Sequence, residues 1–323
     1  MREPLSYRWI TSQLLVEEAK RKGLQVEILC DNKNFFKIKN ASKEFFFKSN
    51  DFWGNSSLWK KIADDKELCD IFLRENGFSV PKSYYLNSKD RKKFDVSQTN
   101  LEFPLVVKPV DWAHGNGVTA NIVSDQRLQQ AMDLAFSFAD TIIIQKFIEG
   151  DEHRILVIGD EVVLWYRRTP ASVYGDGKHT IKQLITIENK NPLRGKWYKS
   201  PLSYILVNKD MEKFLSLKGL SLSSIPNKWE RIQLISVSNV GQGGTMEWIT
   251  DIINDEIKNE CITIAKKVWL FVVWLDIITM DISKPLKDTW WTIIEINAWP
   301  TFQGSIEFTW INPAKILLEK LFW

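Results

Sequence analysis

The sequence reads as a mixed helix-and-strand protein of several lobes that opens in a small α/β segment. Three observations point there. Amphipathic helical stretches are interspersed with short apolar runs, the first helix feeds directly into a strand, and two apolar strands near the C-terminal end are spaced to form a hairpin. A length of 323 residues suits two or three domains, or one large multi-lobed fold with a substantial core.

Residues 11–22 carry a Thr11-Ser12 cap and an amphipathic pattern ending near Gly23, so they are expected to form a helix. Leu24 to Cys30 follows as a strand, and residues 33–49 alternate Phe with Lys as a hairpin does. Ile62 to Asn76 reads as one helix stopped by Gly77, and residues 87–100 as polar loop. Leu105-Val106-Val107 is a short buried strand closed by Lys108-Pro109. Residues 126–139 are expected to be a helix, and 141–147 and 154–166 strands. Residues 170–245 are turn-rich and read as an inserted lobe. A helix over 251–267 and the strands 272–281 and 292–298 complete the chain.

Composition excludes several function classes. With 44% hydrophobic and 26% charged residues the chain is neither disordered nor collagen-like. A net charge of +3, from 43 basic and 40 acidic residues, gives no stripe for nucleic acid. Cys30, Cys69 and Cys261 are an odd and widely spaced set, which fits a reducing, cytoplasmic setting better than disulfides or zinc. Met1-Arg2-Glu3-Pro4 has no apolar run behind it, so no signal peptide is expected. The apolar stretch Val268–Met280 is interrupted by Asp276 and is too short to span a bilayer.

The tryptophans are anomalous. There are 15 Trp and 15 Gly, whereas roughly 22 glycines are expected at average usage. Trp290-Trp291 stand where a hairpin turn favours Gly-Gly, Trp112 sits in a loop otherwise built of small residues, and Trp299 precedes Pro300. Many of these residues are expected to stand for glycine, as when UGA codons that mean Gly are rendered as Trp. A genuinely Trp-rich chain would instead place them on apolar faces at helix or strand spacing.

Chemistry gathers at three places. Lys108 ends an apolar strand and the small-residue loop 111–117 follows, an arrangement in which successive backbone N–H groups cover phosphate oxygens. Lys66 opens a helix, where an anion is favoured. Ile142-Ile143-Ile144-Gln145-Lys146-Phe147-Ile148 runs from an apolar strand into a polar hinge, a slot for an adenine ring, with Glu152 in reach of a ribose. Glu295 and Asn297 lie two apart on a strand and share a face, and a hairpin brings Asp276 across from them. Hard oxygen donors so arranged suit Mg²⁺ on nucleotide phosphates, with Asp281 as the rival first ligand. Taken singly, each feature is more commonly a solvated charge or a surface turn.

Together they resemble an ATP-grasp ligase, most closely the glutathione-synthetase-like module of bifunctional bacterial glutathione synthetases and the ATP-grasp domain of cyanophycin synthetases. The resemblance runs almost end to end. It is carried by Asp65-Lys66, Val106-Val107-Lys108-Pro109, His114-Gly115-Asn116-Gly117, Gln145-Lys146-Phe147-Ile148-Glu149-Gly150, His153-Arg154, Arg167-Arg168, Arg194-Gly195, Gly243-Gly244-Thr245 and Glu295-Ile296-Asn297-Ala298. The family usually has Gly where this chain has Trp112, Trp197, Trp229, Trp274, Trp291 and Trp299, Glu in place of Gln145, and His in place of Tyr198.

What the resemblance implies is an α+β ATP-grasp fold with a nucleotide clamped between two α+β lobes. Residues 1–62 would form the N-terminal α/β segment, 63–141 the small lobe and 142–323 the large lobe. Lys66 and Lys108 would hold phosphates, the loop with His114, Gly115, Asn116 and Gly117 would close over them, and Gln145, Lys146, Phe147 and Ile148 would line the adenine. Glu152 would bind ribose. Asp276, Glu295 and Asn297 would hold Mg²⁺, with Mn²⁺ as the alternative, and Arg154 and Arg168 would face the acyl phosphate or the carboxylate substrate. The implied activity is ATP-dependent joining of a small-molecule carboxylate to an amine, glutathione synthesis first and another amino-acid or dipeptide ligation next. An ATP-grasp phosphotransferase and a nucleotide-binding module without turnover are the competing readings. No nucleic-acid or membrane partner is implied, and relatives are often homodimers.

Overall fold

The computed structural model describes residues 10–110, 117–196, 200–247, 253–302 and 304–323. Helix α1 (Ile10–Arg21) leads into strands β1 (Gln25–Cys30), β2 (Phe35–Lys39) and β3 (Glu44–Lys48), which pair as an antiparallel sheet. The helix ends as expected: Gly23 takes φ 74° while the Gly23 and Leu24 amides reach back to Lys20 and Ala19. Leu15, Val16 and Ala19 on its inner face are buried.

The single helix expected over 62–76 is two helices, α2 (Ser57–Asp64) and α3 (Lys66–Glu75). Asp65 breaks them. Its carboxylate accepts from the amides of Glu67 and Leu68, so it caps α3 and makes Lys66 the first helical residue. Strands β4 (Ser83–Asn87), β5 (Leu105–Pro109), β6 (Thr119–Ile122) and β7 (Thr141–Lys146) form an antiparallel sheet in the order β4-β7-β5-β6. Helix α4 (Asp125–Phe136) covers one face of it, burying Leu128, Ala131, Met132 and Ala135 at helical spacing. Strand β7 thus belongs with the small lobe, so the division expected between 141 and 142 falls within its sheet.

The strand expected over 154–166 is a hairpin, β8 (Asp151–Ile158) and β9 (Glu161–Thr169), turned at Gly159-Asp160. Residues 170–247 then build the lobe expected there. Its elements are β10 (Ser172–Tyr174), α5 (Ile181–Glu188), β11 (Arg194–Gly195), β12 (Leu202–Ser203), α6 (Lys209–Ser216), β13 (Arg231–Gln233) and β14 (Thr245–Glu247). Val173, Ile181, Ile205, Leu215 and Ile232 give it a core of its own. Helix α7 (Asp255–Lys267), capped by Asn254, precedes β15 (Val272–Thr279) and β16 (Trp291–Asn297), which pair antiparallel. Helices α8 (Ser305–Thr309) and α9 (Pro313–Phe322) end the chain.

The large sheet runs β14-β9-β8-β15-β16 and is antiparallel throughout. Strand β15 lies between two neighbours and is the most apolar, as a strand covered on both faces must be. One face, with Ile155, Val157, Val273, Leu275, Ile277 and Ile296, packs on α7. The other is divided. Leu156, Leu164 and Trp274 join the N-terminal sheet, α1 and α9 in one core, and the remainder faces the four-stranded sheet across a cleft.

Two kinds of tryptophan stand at opposite extremes. Trp274 is 3% exposed and its indole N–H donates to the Thr301 carbonyl. By contrast, Trp229, Trp269 and Trp310 have φ of 68°, 47° and 59° and are at least 72% exposed. These left-handed conformations suit glycine and cost an L-residue roughly 1–2 kcal/mol. Trp290-Trp291 do not form a two-residue turn, because β15 and β16 are joined by residues 280–290. Trp112, Trp197 and Tyr198 lie outside the described residues. Replacing Trp229, Trp269 or Trp310 by Gly is expected to stabilise the fold by about 1 kcal/mol each, read from urea unfolding, because little burial is lost. UGG codons at these three positions, or no gain in stability, would count against glycine as the fitting residue.

Candidate functional site

The cleft between the two sheets is narrow and partly open to solvent. Lys66, Cys69 and Asp70 of α3, Tyr85 of β4, Lys108 of β5, Gln145 of β7 and Glu295 of β16 line it. Register builds its polar wall. Asp276 on β15 lies directly opposite Glu295 on one side and Arg154 of β8 on the other, and Arg154 lies opposite Tyr166. Asn297 is two residues beyond Glu295 and shares its face. Glu152 and Arg168 are paired in the next row of that face.

Asp276 is 1% exposed, so its charge must be compensated. Arg154 meets it with two bonds, Nε to Oδ1 and Nη2 to Oδ2, both 2.6 Å. Arg168 Nη1 donates to Oδ2 at 2.8 Å and Asn297 Nδ2 at 3.3 Å. Burial raises the Asp276 carboxyl, but Arg154 and Arg168 outweigh it and hold it below the usual carboxylate range. Arg168 also pairs with Glu152 at 3.1 Å and donates from Nε to the Ser238 carbonyl at 2.7 Å. Glu152 is pushed up by burial and by the nearby Asp276 charge, against the pull of Arg168. Asp281, the rival to Asp276, is turned away: its carboxylate accepts from the Ser283 amide and hydroxyl.

On the facing wall, Lys66 Nζ donates to the Val110 carbonyl at 3.1 Å and stands 3.9 Å from Glu295. Burial lowers the Lys108 ammonium, and Glu295 works against that shift. Sequence reasoning missed what holds this wall. Tyr85 Oη reaches both the Lys66 carbonyl and the Asp70 carboxylate, and Asp70 also pairs with Arg74. Asp70 lies one helical turn after Lys66, which was a legible signal that α3 turns a polar face inward. Cys69 sits beside it, its thiol pushed up to about 12 by burial.

Of the four residues expected around an adenine, Gln145 lines the cleft and donates Nε2 to Ser83 Oγ at 2.9 Å. Lys146 points to the other face of β7, where Nζ donates to the carbonyls of Glu102 and Phe103. Alternation along the strand forces that outcome, so its side chain is not part of the polar wall. The Phe147 amide is held by the Pro104 carbonyl, and Phe147 and Ile148 are half-buried just past the strand. Gly117 takes φ 70°, and a Cβ there would press on Phe138 and Pro109. His114, Gly115 and Asn116 lie outside the described residues.

Residues 63–178 match the RimK-like ATP-grasp domain family. The chain carries an ATP-grasp fold. This ATP-grasp chain is 36% identical over 248 residues to a cyanophycin synthetase of Crocosphaera subtropica, covering 76% of the chain and 28% of that protein. It is 33% identical over 291 residues to the glutathione biosynthesis bifunctional protein of Clostridium perfringens, covering 89% of the chain and 37% of that protein. The crystal structure of a bifunctional glutathione synthetase from Pasteurella multocida superposes with a TM-score of 0.71 at 26% identity, covering 98% of the chain and 44% of that structure. The ATP-grasp chain therefore spans less than half of the length of these relatives. Among the described residues, no helix is long and apolar enough to cross a membrane.

His153 illustrates what adjacency hides. It precedes Arg154 and so faces away from the cleft, buried, with no partner for Nδ1 among the described residues. Burial depresses its imidazolium to about 4 from the usual 6.5; Asp151 and Asp281 oppose this and Arg167 adds to it. The unfolded chain then takes up the proton first as pH falls. The stability this group contributes is complete above pH 6.5 and is lost towards pH 4, by up to about 3 kcal/mol. Urea unfolding of wild type and His153→Gln at pH 7 and pH 4.5 is expected to show a smaller acid loss in the variant. Equal losses would refute the assignment.

Proposed function

We propose that this chain is an ATP-dependent carboxylate–amine ligase of the glutathione-synthetase type, forming an amide through an acyl phosphate and releasing ADP and phosphate. The observation that carries this reading is the meeting of Lys66 and Lys108 with the Asp276–Arg154–Arg168–Glu295 cluster across one cleft. Cations on one wall and hard oxygen donors on the other are what a polyphosphate with its metal requires. The relatives named as glutathione and cyanophycin synthetases point to the same reaction class.

A carboxylate is a poor electrophile, and transfer of the γ-phosphoryl group gives it a good leaving group. In this reading Lys66 and Lys108 neutralise the phosphates, Gln145 and the residues 147 and 148 bound the adenine, and Glu152 faces the ribose. Asp276, Glu295 and Asn297 would hold Mg²⁺, a donor set whose chemistry fits a hard cation and which all lies on one sheet face. Bound there, the cation would supply charge neutralisation on the transferred phosphoryl group. Arg168, fixed by Ser238 and Glu152, is placed to offset the oxyanion that forms when the amine attacks the acyl phosphate. The lysine wall would position the phosphates for in-line transfer. The odd, unpaired cysteines agree with a cytoplasmic setting.

ADP release with Mg-ATP tests the proposal, using γ-glutamylcysteine plus glycine against a panel of other amino-acid pairs. Release is expected only when both a carboxylate and an amine substrate are present, with γ-glutamylcysteine and glycine the first pair. Lys108→Met is expected to lower kcat/KM by about a hundredfold. Release with an acceptor that gives a hydroxylamine-stable phosphorylated product would replace the ligase by a phosphotransferase. Nucleotide binding without acceptor-dependent turnover would reduce the chain to a binding module.

A further inference from the structure

The two arginines on Asp276 are not equivalent. Arg168 is anchored independently, by the Ser238 carbonyl and by Glu152. Arg154 gives both prongs of its guanidinium to Asp276, has Tyr166 on the opposite strand as its other polar partner, and is 22% exposed against 11% for Arg168. A carboxylate offers about four lone-pair sites. At Asp276 four donors converge: Nη2 of Arg154, Nη1 of Arg168 and Nδ2 of Asn297 crowd Oδ2, and Nε of Arg154 takes one site on Oδ1. A divalent cation approaching the Asp276–Glu295–Asn297 set thus finds Oδ2 of its central carboxylate fully engaged, Oδ1 held by Arg154, and two guanidinium charges beside it. A polyphosphate competes for a guanidinium in the same bidentate geometry as a carboxylate.

We propose that Arg154 is a latch on Asp276: it keeps a bare divalent cation off these donors and releases them when a polyphosphate takes the guanidinium. Arg168 stays in place and keeps the buried carboxylate partly neutralised throughout. The cation then binds with the nucleotide and not ahead of it. This rests on the nucleotide-site reading above, and the experiment separates the two.

Mn²⁺ binding is measured by electron paramagnetic resonance for wild type, Arg154→Gln, Arg154→Lys and Asp276→Asn, each with and without a non-hydrolysable ATP analogue. Without nucleotide, Arg154→Gln is expected to bind Mn²⁺ at least about tenfold more tightly than wild type, because the competing charge is gone. Arg154→Lys, which keeps the charge but not the two-pronged contact, is expected in between, and Asp276→Asn to bind least. With the analogue present, the advantage of Arg154→Gln is expected to disappear. Equal Mn²⁺ affinity of wild type and Arg154→Gln without nucleotide would overturn the latch.

Thermal unfolding checks that the variants fold. A second readout needs only the wild-type fold: in EDTA, the analogue is expected to shift the Arg154 Nε–H NMR signal, assigned by its loss in Arg154→Lys. An unmoved signal while a fluorescent ATP analogue binds would overturn the latch and leave the nucleotide site standing. Failure of any nucleotide to bind would overturn both.

Discussion

A single buried carboxylate organises this molecule. Asp276 sits in the middle of β15, a strand with a neighbour on each side and apolar residues before and after the carboxylate. An unpaired charge at that depth would cost several kcal/mol, so the sheet around it must supply cations. It does so through register. The antiparallel pairing that sets Ile155 and Leu275 against α7 is the pairing that sets Arg154 against Asp276 on the other face. A one-residue slip of β8 would bury Arg154 in the aliphatic core and leave Asp276 on the other face without it. The hydrophobic pattern and the ion cluster therefore specify the same register, and neither is compatible with the alternative.

The opposite wall of the cleft obeys a different logic. Its cations come from a helix start and a strand end, and polar contacts fasten them: Asp65 caps α3 at Lys66, and Tyr85 ties the Lys66 carbonyl to Asp70. Desolvation weakens the charge of Lys108, and Glu295 across the cleft restores part of it. The two walls are thus electrostatically complementary as well as adjacent. Opening the cleft would relieve the desolvation of Lys108 at the expense of its attraction to Glu295, and a polyphosphate between the walls would offer the same cation a second anionic partner.

Much of this was legible in the sequence where periodicity and chemistry coincide. Glu295 and Asn297 at a spacing of two, with Asp276 on the preceding strand, put these three residues on one sheet face without any structure, and the pairing of β15 with β16 bears out the hairpin. The break at Asp65 was not read, since residues on both sides of it are good helix formers and the cap depends on side-chain geometry. The turn at Gly159-Asp160 was overlooked because Val162-Val163-Leu164 continues an apolar run that looks like one strand. The cluster was read as metal ligands alone. That Arg154 and Arg168 converge on the same carboxylate depends on cross-strand register, which sequence spacing between 154, 168 and 276 does not encode.

The tryptophans show the difference between a side chain that fits a space and a residue that fits a backbone. Trp274 fills a core position and finds a carbonyl for its indole N–H, so packing accounts for it whatever residue stands there in relatives. Trp299 similarly places its indole N–H on the Asp64 carboxylate, with Lys60 over the ring. Packing offers no such account for Trp269, which follows the end of α7 with its amide on the Lys266 carbonyl, or for Trp310, which closes α8. At helix ends of this kind the left-handed residue is chosen for its lack of a Cβ, and a large exposed ring adds conformational cost without contact. Backbone angle, not ring environment, is therefore the criterion that separates the tryptophans the fold uses from those it merely accommodates.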